Sequence, residues 1–570
     1  MNRLKTGIYL VVAAIVFTSC AVVVNTIPVP KGIDNSLNIP AKKGKLTETE
    51  LQMWSHMDLQ TDSIPGMSIS KAYQFLEGKK GSTVIVAVAD SGIDIAHEDL
   101  IGVVWVNPLE IAGNNKDDDQ NGYVDDVHGW NFLGNKMGAM VRKDQLELTR
   151  IVKQGMERFG VKKASEISDI EKAEFDTYLK RKEKYTKAVN AHKLKIENLE
   201  KTAKRITQIL ENFKEVKVFL GKVDLTVENL KIARPESVLL AVKIADVINL
   251  LNNGLSEVEA IDYKKQILKE KTANEESKAY DLDFNARESL GDNLYDLADA
   301  FYGNNNVIGA KDFESHGTHV AGIVAAARDN GKGVNGVAHN VKIMAVRVVP
   351  DGDEHDKDVA LGIRYAVDNG AKVINTSFGK SYSPNKKWVY DAIIYAAKKD
   401  VLILNAAGND GKNIDVEKTF PNDSRDLMHE IADNVLTIGA TSLHYDAQLP
   451  ANFSNYGKIN VDVFAPGVGI YAPYPNDSYE SISGTSMAAP SAAGVAALVR
   501  SYYPMLSASQ VKHILMNSGI KINFEVIKPG SQSRANPNGD RVPFSDLCVS
   551  GRVVNAYNAL KMADRIVNGL

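Results

Sequence analysis

The stretch TVIVAVAD (83–90) is an apolar run that ends on a carboxylate. Five other runs are equally rich in apolar residues: VKIMAVRVV (341–349), AKVINTSFG (371–379), DVLILNAAGN (400–409), NVLTIGAT (434–441) and VDVFAPG (461–467). Runs of this kind are typical of strands buried on both faces of a parallel sheet. Amphipathic helical patterns separate them at 358–370, at 386–399 and after Ser486. The sequence therefore predicts an α/β fold with a doubly wound, mostly parallel sheet.

The composition is that of a folded protein without a strong charge. Of the 570 residues 44% are hydrophobic, and the formal net charge is −4. A chain with this balance has a large core and lacks the basic field that nucleic acids attract, so we expect no nucleic-acid partner. The two cysteines, Cys20 and Cys548, form one disulfide at most, so a disulfide framework is excluded.

The N-terminus is typical of an export signal. Arg3 and Lys5 precede the apolar run IYLVVAAIVF (8–17), and small residues lead to Cys20. This stretch, residues 1–20, resembles a bacterial lipoprotein signal, in which Cys20 would be lipidated and become the new N-terminus, although Phe17 departs from the usual leucine. Residues 6–24 are alternatively long enough for a transmembrane anchor. Either interpretation predicts an exported protein of the cell envelope, attached to a membrane.

Two further segments differ from the predicted α/β domain, which spans 53–565. Residues 21–52 contain the Pro/Lys/Asn-rich stretch typical of a linker and are interpreted as a tether. Residues 141–289 are rich in Lys and Glu and poor in Gly and Pro. Within them, apolar residues recur with the a/d spacing of a short coiled coil: Ile196, Leu199, Ala203, Ile206, Leu210 and Phe213. We predict a helical, coiled-coil-like insertion whose apolar stripe packs within the chain.

Polar residues follow or flank the predicted strands where an active site is expected. In open α/β sheets, ligands bind at the carboxyl ends of the strands. Asp90 ends the first strand and Asn409 follows another, while His316 and Ser486 each open a helix of small residues. The order along the chain is Asp, His, Ser.

These residue types have distinct chemical roles. A serine hydroxyl needs a base to become a nucleophile, and a histidine serves near neutral pH. A buried carboxylate orients the imidazole, and a side-chain amide such as that of Asn409 donates a hydrogen bond to the oxyanion. Ser486 is expected at the N-terminus of its helix, where the helix dipole favours negative charge, with Pro490 in the first turn.

Three motifs identify a family. The stretches DSGID (90–94), HGTHVAG (316–322) and GTSMAAP (484–490) resemble those of the subtilisin-like serine proteases, with support from INTSFG, AAGN and FAPG. The resemblance covers roughly 53–135 and 290–565. It implies that Asp90, His316 and Ser486 form the catalytic triad and that Asn409 contributes to the oxyanion hole. Residues implied to line the pocket for the residue before the scissile bond are Ser377, Phe378 and Gly379, while His319 is implied to be structural.

The acidic stretch NKDDDQNGYVDD (115–126) contains oxygen ligands at calcium-loop spacing: Asp117, Asp119, Asn121 and Asp125. The glutamate of an EF-hand is absent, because His128 stands at the twelfth position. The resemblance adds Asp99 as a calcium ligand. The expectation is a structural Ca²⁺ site, and the alternative is a solvated acidic turn.

Taken together, the sequence predicts an exported, tethered serine endopeptidase acting on proteins or peptides, with no cofactor for catalysis. Two alternatives use the same residues differently. One is a catalytically idle scaffold that recruits a partner through the insertion, and the other is a peptide ligase in which an amine replaces water.

Overall fold

The structure is a computed structural model that describes residues 28–32, 35–40, 42 and 44–569. Cys20 and the predicted signal peptide lie outside these ranges. The helices are α1 Glu48–Met53, α2 Leu59–Asp62, α3 Ile69–Leu76, α4 Glu147–Phe159, α5 Lys172–Leu220, α6 Val227–Ile232, α7 Val238–Asn252, α8 Glu257–Glu276, α9 His316–Ala325, α10 Asp356–Asp368, α11 Lys386–Lys398, α12 Thr485–Tyr502, α13 Ala508–Ser518 and α14 Ala556–Asn568. The strands are β1 Val84–Asp90, β2 Gly129–Asn131, β3 Val341–Arg347, β4 Val373–Thr376, β5 Leu402–Ala406, β6 Val435–Thr441, β7 Val463–Pro466, β8 Ile470–Tyr474, β9 Ser478–Ile482, β10 Ile520–Lys521, β11 Glu525–Ile527, β12 Arg541–Pro543 and β13 Arg552–Val553.

The main sheet has nine strands in the order β10-β13-β7-β6-β5-β4-β1-β3-β2. Every neighbouring pair is parallel except β10 with β13 at one edge. β1 lies between β4 and β3, with Asp90 opposite Arg347 of β3. The prediction of a mostly parallel α/β sheet is confirmed, and each of the six apolar runs contains one of its strands.

Helices cover both faces of the sheet. One face packs against α9 and α12, whose small residues are buried together with β1 and β5–β7 in one core cluster. The other face packs against α10 and α11 in a second cluster. The crowding around α12 is close, since a Cβ on Gly494 would lie 2.4 Å from the Val337 side chain. This closeness explains the run of alanines and glycine after Ser486.

Pro490 is the sixth residue of α12, so the expectation that it lies in the first turn is wrong. A proline at this position lacks the N–H that would bond to the carbonyl four residues earlier, which is that of Ser486. The Ser377 hydroxyl donates to this carbonyl instead, at 2.9 Å. The missing helical hydrogen bond is therefore replaced by one from the end of β4.

Helices α4–α8 form an arm within the predicted insertion. Helix α5 is 49 residues long and packs against α7 and α8. The residues of the predicted stripe are buried or half-buried, and two clusters form: Leu199, Ala203 and Ile206 with Ala260 and Ile267, and Phe213 and Val216 with Leu230, Ile244 and Val247. The stripe packs within the chain, as expected.

Two observations concern the predicted membrane and tether segments. In the described ranges no single helix is long and apolar enough to cross a membrane. Helices α7 and α8 together have the length and composition of a membrane span, but the pair is bent by 82°. The described part of the predicted tether contacts the domain: the Asn35 amide donates to Ser518 O at 2.8 Å, and the Tyr445 hydroxyl donates to Leu37 O at 2.9 Å.

Candidate active site

Asp90 and His316 form a hydrogen-bonded pair at the carboxyl end of β1. The distance between His316 Nδ1 and Asp90 Oδ1 is 2.8 Å, and the Ser91 N–H donates to the same oxygen at 2.7 Å. Asp90 is buried, whereas the His316 side chain is 38% exposed. A proton on Nδ1 satisfies the carboxylate and leaves Nε2 as the basic nitrogen, which is the arrangement that a general base requires.

The pair changes the acidity of the imidazole. Burial disfavours the imidazolium, but the charge of Asp90 and its hydrogen bond outweigh burial, so the pKa of His316 is raised above its ordinary value. The nearby His319 behaves in the opposite way. Burial lowers its pKa to about 4, and its Nε2 lies 3.0 Å from the carbonyls of Ile470 and Glu480. His319 therefore stays neutral and links α9 to the β8–β9 hairpin, in agreement with the structural role implied for it.

Ser486 is the second residue of α12 and is held against the end of β4. Its hydroxyl donates to Ser377 O at 3.0 Å, while the Ser377 hydroxyl donates back to Ser486 O. Among the described residues no hydrogen bond joins Ser486 to His316. Catalytic hydrogen bonds are often loose before substrate binds, and rotation about the Cα–Cβ bond would turn the Ser486 hydroxyl away from Ser377.

Asn409 lies beside the N-terminus of α12. Its amide oxygen accepts hydrogen bonds from the backbone N–H of Thr485 at 2.8 Å and from the Thr485 hydroxyl at 2.9 Å. Its NH₂ group is left to donate, and a Cβ on Gly484 would lie 3.5 Å from that nitrogen. An oriented amide next to the nucleophile provides a preorganised donor for an oxyanion.

Residues 377–379 provide an open backbone edge next to Ser486. Within the described residues, the N–H and C=O of Gly379 have no hydrogen-bond partner, and Gly379 is exposed. The Phe378 side chain is half-buried against the second core cluster. Such an edge binds an extended peptide by adding it as a strand. The structure thus pairs Asp90 with His316, places Ser377 against Ser486, and places Asn409 against Thr485, the neighbour of Ser486.

The calcium prediction is only partly reproduced by the geometry. The carboxylates of Asp117 and Asp125 accept N–H groups of their own loop, and Asp99 accepts from the Asn330 amide and the Val334 N–H. Asn121 donates its amide to Asp119 and Asp126. Carboxylate oxygens that could share one metal ion belong instead to Glu110, Asp119 and Asp126, all within 4.8 Å of one another. Of the five predicted ligands, this group contains Asp119 alone.

The sequence analysis did not predict a buried arginine that contacts the residues beside the Asp90–His316 pair. Arg347 ends β3 and is fully buried. Its guanidinium donates to Ser91 O at 2.8 Å and pairs with the Glu314 carboxylate, two residues before His316. Arg347 thus links the segments on both sides of the Asp90–His316 pair. The presence of an arginine within the apolar run 341–349 was the only signal in the sequence.

Comparison with known proteins identifies relatives of this chain. The subtilase family profile matches residues 81–542. A cell wall-associated protease of Bacillus subtilis (strain 168) is 38% identical over 248 residues, or 43% of this chain and 26% of that protein. Subtilisin DY of Bacillus licheniformis is 38% identical over 214 residues, or 37% of this chain and 72% of that protein.

Among solved structures, a protease from Pseudoalteromonas arctica is 31% identical, with a TM-score of 0.34, covering 44% of this chain and 70% of that one. The stretch matched by the family profile includes Asp90, His316, Asn409 and Ser486. The chain belongs to the subtilase family of serine proteases.

Proposed function

We propose that this protein is an endopeptidase that hydrolyses protein or peptide substrates through an acyl-enzyme on Ser486. The observation that carries the proposal is the 2.8 Å pair of His316 and Asp90, together with the oriented Asn409 amide at the N-terminus of α12. These residues would supply the base, the nucleophile and the oxyanion donor that acyl transfer requires.

The reaction follows from these positions. His316 Nε2 takes the proton of the Ser486 hydroxyl as the oxygen bonds to the scissile carbonyl carbon, and Asn409 donates to the resulting oxyanion. The imidazolium then gives this proton to the leaving amine as the C–N bond breaks. Water, deprotonated by His316, attacks the ester carbon, and the proton returns to the Ser486 oxygen as the acid leaves. Asp90 stabilises the imidazolium in both halves.

The test is to incubate the protein with a mixed peptide library and to sequence the products. We expect internal cuts, loss of cleavage in Ser486→Ala by several orders of magnitude, and labelling of Ser486 by an organophosphonate. An idle scaffold would produce no cuts, and a ligase would join peptides to an added amine rather than release free acids. Labelling of another residue with Ser486 untouched would contradict the assignment.

The proposal includes export and attachment to a membrane through a lipid on Cys20. It is supported by the positive start, the apolar run and the small residues before Cys20. In Cys20→Ala we expect either release from membranes or an uncleaved precursor. Unchanged processing and membrane attachment would contradict lipidation, and an uncleaved N-terminus in the unmodified protein would favour a transmembrane anchor.

We also propose a structural Ca²⁺ held by Glu110, Asp119 and Asp126. These residues offer the hard oxygen donors that calcium prefers. One oxygen of Glu110 is buried and has no hydrogen-bond partner among the described residues. A bound ion would satisfy this oxygen and offset the repulsion between three carboxylates. Calcium takes no part in the bond-breaking steps.

A further inference from the structure

The arm begins with a buried ion pair that reaches the peptide-binding edge. Lys380 directly follows Gly379, and its ammonium lies 2.9 Å from the carboxylate of Glu147, the first residue of α4. Both side chains are at least nine-tenths buried. Helix α4, which starts the arm, is therefore joined to the peptide-binding edge that is expected to hold the substrate.

The two residues are held in place by further contacts. Lys380 also contacts the Asp356 carboxylate at 2.9 Å and Glu354 O at 2.6 Å. Arg150, one turn along α4, donates to Glu147 at 2.7 Å. A buried carboxylate with two cationic partners has one defined position, and burial is tolerated only because the charges are paired. Glu147 is thus a fixed support rather than a mobile surface charge.

The backbone of Lys380 is fixed as well. Its N–H donates to Phe420 O at 2.8 Å, and its C=O accepts from Phe420 N at 2.9 Å. The other end of the edge is fixed at Ser377, through its two hydrogen bonds with Ser486. The open segment 377–379 is thus held at both ends, with the arm supporting the end that lies farther from the nucleophile.

We propose that Glu147 and Lys380 are positioning residues that set the peptide-binding edge for the more distant residues of the substrate. The proposal rests on the proposed endopeptidase function. Since Ser377 touches Ser486, a bound peptide has its scissile bond near Ser377. Substrate residues more distant from the scissile bond then lie toward Gly379 and Lys380. Loss of the pair should therefore weaken binding of long substrates more than that of short ones.

The experiment compares a chromogenic tetrapeptide with a single-residue ester. In Glu147→Gln we expect kcat/KM on the tetrapeptide to fall about tenfold, mainly because KM rises. This loss is smaller than the ~10²-fold loss in rate that a 1 Å misplacement of reacting groups can cause. The loss on the ester should be clearly smaller. Active sites are counted by organophosphonate titration, so that misfolded molecules do not enter the rates. The matched control is Glu157→Gln, which removes an exposed carboxylate from the same helix.

Lys380→Met provides a second variant if Glu147→Gln yields little folded protein, and the double variant tests coupling. Because removing one partner leaves the other charge buried, we expect the double variant to lose no more than the worse single variant. Equal losses on both substrates, or no loss on the tetrapeptide, would overturn the proposal. An unmodified protein that cleaves neither substrate and takes up no organophosphonate would instead contradict the proposed function.

Discussion

Thr485 orients the amide of Asn409, since its backbone N–H and its hydroxyl both donate to the Asn409 oxygen, at 2.8 and 2.9 Å. The amide nitrogen is thereby fixed as the group left to donate, and a Cβ on Gly484 would lie 3.5 Å from it. This orientation exists before substrate binds, so little reorganisation accompanies oxyanion formation.

In Asn409→Ala we expect kcat to fall by about 10²–10³, as for removal of one oxyanion-hole donor in subtilisin, with little change in KM. Steady-state kinetics on the tetrapeptide measures both constants. A kcat close to that of the unmodified enzyme would show that the Asn409 amide does not contact the transition state.

The acid limb of kcat/KM should report His316. His316 must be neutral to act as the base. Asp90 raises the pKa of His316 above the ordinary 6.5 although burial opposes this. Activity should therefore decline as the pH falls through that raised pKa. In Asp90→Asn the limb should move to lower pH and kcat should fall by about 10⁴. His319, with a pKa of about 4, does not titrate in this window. An acid limb that does not move in Asp90→Asn would contradict the assignment.

Arg347 should be a large contributor to stability. In Arg347→Met the Glu314 carboxylate is left buried without its cation, and breaking a buried pair costs about 3–5 kcal/mol. The double variant Arg347→Met/Glu314→Gln should recover part of this loss. Urea unfolding measures the free energies, and strictly additive losses would show that the two side chains do not depend on each other.

Calcium should raise the unfolding temperature. A ligand that binds only the folded state at 100 times its Kd adds about 2.7 kcal/mol. Scanning calorimetry with calcium and with a chelator measures the shift, which should be lost in Asp126→Asn and in Glu110→Gln. Asp117→Asn is the informative control, because the sequence predicts Asp117 as a ligand and the structure places its carboxylate on loop N–H groups. No shift in the unmodified protein would leave the acidic stretch as a solvated turn.

The arm should unfold more readily than the sheet when its core is weakened. Phe213 of α5 is fully buried against α6 and α7, so Phe213→Ala should destabilise the arm by about 3–5 kcal/mol. Hydrogen exchange should accelerate in α5–α8 while β1 and β4–β6 stay protected. Acceleration throughout the sheet would mean that arm and domain unfold as one unit.

The buried strands and the pairing of Asp90 with His316 could be predicted because their signals are local. Apolar runs mark strands that are buried on both faces, and the residues around Asp90, His316 and Ser486 are short contiguous motifs. Glu147 and Lys380 could not be predicted, since their contact joins residues 233 positions apart and nothing near either residue indicates the other. Glu110 was missed for a similar reason, because it precedes the acidic stretch and meets it only when the loop folds back.

If Cys20 carries the proposed lipid, the hydrogen bonds of Asn35 limit how far the domain can lie from the membrane. Asn35 is held to the domain through Ser518 O and the N–H of Lys521. Asn35 lies fifteen positions after Cys20, and even a fully extended chain of that length spans at most about 50 Å. If Cys20 carries the lipid, the C-terminal part of the domain is confined to a layer of that depth above the bilayer. In that case the enzyme would act close to the bilayer, and substrates held at the same surface would meet it more often than freely diffusing proteins would.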